Sequence, residues 1–126
     1  MATIEVSRPD WTSFLDTFTR MHAGWLVTIE VLRPDIGAQV ATRDLPLDGI
    51  SFDEGGGDRD RILIEVKARG GAHVAHAIIA PKLVSLKQTD EGAHEALEIE
   101  SADGAKTLVR FRSTLLPQML DGYVGP

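Results

Sequence analysis

In "SRPDWTSFLDTFTRMHAGW", Trp11, Phe14, Leu15, Phe18 and Met21 recur at i, i+3, i+4 and i+7. That spacing gathers side chains on one face of a helix. The pattern predicts an amphipathic helix over about residues 9–23. Pro9 suits its first turn, Asp10 complements the positive end of the dipole, and Gly24 is placed to end it. Large rings at this spacing suit a helix lying on a sheet, so the stripe reads as core and not as a ligand site.

After Gly24 the period becomes two. In "WLVTIEVLR", Trp25, Val27, Ile29 and Val31 alternate with Leu26, Thr28, Glu30 and Leu32, as in a strand with one strongly apolar side. "RPDIG" reads as a turn, and a second extended stretch of about 38–45 meets Pro46. Proline cannot donate to a central ladder, so an edge, bend or bulge is expected there before "LDGISFD" resumes the strand. "EGGGDRD" is a flexible polar connection, and "RILIEVKA" puts Ile62, Ile64 and Val66 inward. Further short strands are predicted at about 73–80, 83–88, 95–100 and 106–112, separated by turns such as "ARGG", "TDEGA" and "SADGA".

Strands this short, with glycine turns and no long crossovers, predict a mainly β (α+β) fold. The N-terminal helix is followed by an antiparallel meander curled into a roll or small barrel over about 25–112. The tail, 113–126, could form one short helix around Pro117 to Leu120. Its Leu115, Leu116, Met119, Leu120 and Tyr123 must cap the core or meet another chain. At 126 residues, one domain spanning 1–126 is the default.

Composition narrows the function classes. There is no cysteine, which removes disulfides, thiolate chemistry and cysteine-ligated zinc. The start "MATIEVSRPDW" lacks a basic segment followed by an apolar core, and no apolar run is long enough to span a bilayer, so a cytoplasmic protein without membrane attachment is expected. The net charge is -6, with scattered basic residues, which makes nucleic acid an unfavoured partner.

The candidate chemistry centres on "GGAHVAHAIIAP", where His73 and His76 stand three apart. On a strand their side chains leave opposite faces and their backbones lie about 10 Å apart, so they cannot converge on one ion. On a helix they would sit side by side. The β-branched Val74, Ile78 and Ile79 and the Gly70-Gly71 turn favour the strand. His76, sharing a face with Val74 and Ile78, is then a partly buried imidazole satisfied by backbone or a carboxylate, and it is the one weak catalytic candidate. His73 is expected to be solvated. His22 would lie on the last helical turn, where the dipole favours a cation, and His94 in an acidic turn beside Glu91 and Glu95. A site built from His22, His76 and Glu30 would require the fold to bring them together.

Other motifs are weaker. Asp53, Glu54, Asp58 and Asp60 suggest calcium, but Gly55 and Gly57 occupy ligand positions of the EF-hand template and the glycine it needs at position 6 is missing. Ser51 and Ser85 stand in no nucleophile motif. Glu98 and Glu100 read as a solvated strand face, with Lys106, Arg110 and Arg112 on the neighbouring outer face to pair with them. No cofactor or metal is expected.

The segments "HAGWLVTIEVL", "LPLDGISFD", "HAIIAPKLVSL" and "LEIESADGAKTLVRFR" resemble a family of short bacterial proteins classified only as a domain of unknown function, over about residues 10–112. The resemblance implies no activity. In architecture, a helix followed by bent antiparallel strands is similar to Sm-like and SH3-like small barrels. The chain departs from the RNA-binding Sm pattern in its excess acid and in having no basic rim with interleaved aromatics. The sequence therefore favours a non-catalytic interaction or assembly domain, a homo-oligomer or the binder of a protein partner. The alternatives are a metal-assisted or general-base enzyme or ligand pocket around His76, and an Sm-like nucleic-acid binder.

Overall fold

The computed structural model describes residues 2–115, the last three through their backbone. The chain runs through β1 (Ala2–Val6), a 3-10 turn at Arg8–Asp10, α1 (Trp11–His22), β2 (Leu26–Arg33), β3 (Gly37–Asp53), a second 3-10 turn at Gly57–Arg59, β4 (Arg61–Lys67), β5 (His73–Ile79), β6 (Pro81–Gln88), β7 (His94–Ser101) and β8 (Lys106–Leu115). All strand pairs are antiparallel, in the order β1-β6-β7-β8-β2-β3-β4-β5.

The predicted helix is present, with its first turn wound as 3-10 around Pro9. It buries Trp11, Leu15, Phe18 and His22, an i, i+4, i+7, i+11 stripe, against the sheet. Thr19 fixes its seat on β3: Oγ1 accepts the Ile50 N–H and donates to the Ile50 carbonyl, each at 2.9 Å. Gly49 lies beneath this contact, where a Cβ would touch the Thr19 methyl at an ordinary van der Waals distance of 3.5 Å. Trp11 donates Nε1–H to the Val6 carbonyl at 2.9 Å and sets its ring edge-on to Phe52, with centroids 5.1 Å apart.

The two stretches expected on either side of Pro46 are one strand of 17 residues with a bend. Its first part pairs with β2 and its second with β4, and register shifts flank the change of partner. Asp44 takes a left-handed φ of 50° at the bend, and Pro46 leaves the ladder to Leu47, whose N–H reaches the Trp25 carbonyl at 2.8 Å. The bend wraps the apolar faces of the sheet around a single buried cluster that includes Val27, Ile29, Ile62, Ile64, Val66, Leu97, Ile99 and Val109.

The sheet does not close into the small barrel expected from the sequence. β5 and β6 are consecutive but do not pair, so β1 and β5 are the outer strands. β6 has β1 on one edge and β7 on the other, and the chain enters it through a corner at Ala80, which has φ 52° and is pinned by its N–H to the Asp60 carbonyl and its C=O from the Ala102 N–H, each at 2.9 Å. β1 was not expected. It pairs along β6 from Ala2↔Gln88 to Val6↔Val84. The predicted helix at Pro117 to Leu120 lies outside the described residues. Among the described residues no helix is long and apolar enough to cross a membrane.

Candidate functional site

β5 carries His73 to Ile79 in the extended form, so the two imidazoles diverge as predicted. His73 is exposed and meets the Asp48 carboxylate. His76 is half-buried, with Nε2 2.8 Å from the hydroxyl of Thr42 on β3, a partner of a different type from the backbone or carboxylate expected. That contact ties β5 to the first part of β3, with which it shares no ladder. Burial pulls the His76 pKa below its ordinary value, which keeps the ring neutral at pH 7.

His76 lines a cleft of about 360 Å³. The walls are built in two different ways. β2 contributes Ile29, Val31 and Arg33, and β7–β8 contributes Ser101, Asp103, Ala105 and Thr107, in each case every second residue. β5 contributes Ala75, His76, Ala77, Ile78 and Ile79 without a gap. Alternate residues mean that a sheet face forms the floor, since successive side chains point to opposite faces. Consecutive residues mean that the cleft runs along the edge of β5.

At the outer end of the floor, Asp103 is held by its own turn. Its Oδ1 accepts the Ser101 hydroxyl at 2.6 Å and the Ala105 N–H at 3.0 Å. These contacts, the hydroxyl first, keep its pKa below the usual carboxylate range, and Arg33 stands 3.5 Å from Oδ2. The cleft therefore presents an apolar floor from Ile29 and Val31, two hydroxyls, one neutral imidazole and one ion pair.

A second group of histidines was misread from the sequence. His22 lies on the last helical turn as expected, but it is fully buried, ringed by Phe18, Trp25 and Phe111 at centroid distances of 4.1, 4.5 and 4.7 Å, and is not the cation that the dipole there would favour. Its Nδ1–H donates to the Phe18 carbonyl at 2.8 Å. Burial holds its pKa at about 4, so its Nε2 carries a lone pair and accepts the Nδ1–H of His94 at 3.0 Å. His94 is itself buried, and burial lowers its pKa as well. One sequence signal was available for His22: it extends the Trp11, Leu15, Phe18 stripe by one more step of four. None was available for His94, whose burial depends on a partner 72 residues away.

The remaining sequence candidates have structural roles. His22, His76 and Glu30 are not assembled, because each faces a different partner, Glu30 meeting Arg110 at 3.5 Å. Among the described residues no group of three or more His, Asp or Glu side chains is arranged to hold a metal. In the acidic loop, Asp60 is buried, accepts the Gly56 N–H at 2.7 Å and is paired with Arg8. The backbone contact first, then the guanidinium, lowers its pKa. Of the predicted charge ladder, Lys106 stands directly across from Glu100 in the register, while Glu98 meets Lys87 at 3.6 Å and Arg110 meets Glu30.

Comparison with known proteins gives kinship without an activity. An uncharacterized protein of Aquifex aeolicus (strain VF5) is 26% identical over 119 residues, covering 94% of this chain and 100% of that protein. No solved structure matches. The model of a family of unknown function, DUF5335, matches residues 2–119, and the chain belongs to that family.

Proposed function

We propose that the chain is a non-catalytic interaction domain that engages its partner at the outer edge of β5 and the cleft beside it. One observation carries this reading: among the described residues, β5 is an end strand without the devices that normally blunt an edge. Its seven residues, "HVAHAII", include no proline, lysine, arginine or carboxylate, and Val74 and Ile79 are 38% and 49% exposed. β1, at the other end of the sheet, is shorter and carries Glu5. An edge left unblunted on one side only is a surface for pairing.

The test is photo-crosslinking in the cell of origin. A photoreactive benzoylphenylalanine at position 79 is expected to give a discrete polypeptide adduct that the same group at position 5 does not. No polypeptide adduct at 79, or the same adduct from both positions, would overturn the reading. A second reading, a small-molecule or metal pocket, is favoured by the neutral His76 imidazole lining the same cleft. Stoichiometric metal in the purified protein that disappears in His76→Ala would select it.

A further inference from the structure

We infer that the occupant of the cleft is an isolated, extended, uncharged polypeptide segment, added to β5 as one more strand. The inference rests on the interaction-domain reading and gives it a partner chemistry. Backbone hydrogen bonding supplies the first argument. β5 pairs with β4 on one side, and on its other side, among the described residues, no strand receives its outward N–H and C=O groups. An extended segment satisfies alternate groups along that edge, in the manner of strand addition.

The form of the cleft supplies the second. Because it follows β5 over five consecutive residues, it accommodates a segment of about five residues, or roughly 16 Å of extended chain. The face of β2 and β8 passes beneath, so alternate side chains of the segment would rest on Val31, at the rim of the buried cluster, and the others would face solvent. This floor also argues against a second copy. An edge strand of a folded copy brings its own neighbouring strand, which would collide with the floor, whereas a lone segment brings none.

Charge supplies the third. Among the described residues, the ionisable groups lining the cleft are Arg33 and Asp103, paired with each other, and the neutral His76. A net charge on the bound residues would find no opposite net charge there. The recognised pattern is therefore apolar at every second position, with β-branched residues favoured on the floor side, and without Asp, Glu, Lys or Arg among the buried positions.

The experiment uses the full chain as bait for a random dodecapeptide library, followed by N-methyl scanning of the selected peptide. Alternating apolar peptides are expected, shifting the amide resonances of 75–79. Methylating every second peptide nitrogen is expected to weaken binding by about tenfold or more, and methylating the intervening ones by less than about threefold. Equal tolerance at all positions would overturn strand addition while leaving the interaction domain standing. A crosslink at position 79 to a second copy, with no peptide selected, would overturn the isolated segment. No peptide at the cleft and no crosslink at 79 would remove both readings.

Discussion

His22 and His94 have their tautomers set by geometry, because a carbonyl oxygen can only accept. The arrangement needs a lone pair on His22 Nε2, so it holds only while the His22 ring is neutral, and this has a consequence for stability. Unfolded, each histidine titrates near 6.5, whereas folded His22 titrates at about 4 and His94 and His76 are also lowered. Between those values the unfolded chain binds more protons, so the histidine contribution is fully present above about pH 6.5 and is lost as pH falls through the folded value. For His22 alone the loss approaches about 3 kcal/mol. Urea unfolding measured from pH 7.5 to 4 is expected to show that decline, with less of it in His22→Leu. The lowered carboxylates, Asp60 and Asp103, act below this window, because their unfolded pKa is 3.8. A flat profile between pH 6.5 and 4 would contradict the neutral buried pair.

Among the elements, the corner between β5 and β6 holds a non-glycine residue in a left-handed conformation. Ala80 holds a left-handed conformation that costs a residue with a Cβ roughly 1–2 kcal/mol, against about 0.5–1 kcal/mol of extra chain entropy for glycine. Ala80→Gly is therefore expected to raise stability by a few tenths to about 1 kcal/mol in denaturant titration. A loss instead would mean that the alanine methyl makes a packing contribution larger than the strain. Local period made the helix face, the alternating faces of β2 and β4, and the divergence of His73 and His76 legible in the sequence. What local period could not reveal was pairing at a distance. β1, "ATIEV", alternates over only five residues, too short a run to mark a strand until β6 is placed beside it, and Glu98 turns to Lys87 because strand order, not sequence spacing, chooses its neighbour.

For the whole molecule, the difference between a closed barrel and an open sheet changes what the protein can do. Closure would have paired β5 and left a sealed interior, whereas the open order leaves β5, among the described residues, at the end of the sheet with a cleft along it. The sequence contained the components of that site, His76 and the uncharged β-branched strand, but not their relation to Ile29, Val31, Arg33 and Asp103, which depends on the bend of β3. Hydrogen exchange of the isolated protein tests the openness of the edge most directly. Within His73–Ile79, amides alternating along the strand are expected to exchange fast where they point outward and slowly where they pair with β4, while the strand between β6 and β8 is protected throughout. Uniform protection across β5 would mean that the edge is already occupied, and the account of a free pairing strand would be wrong.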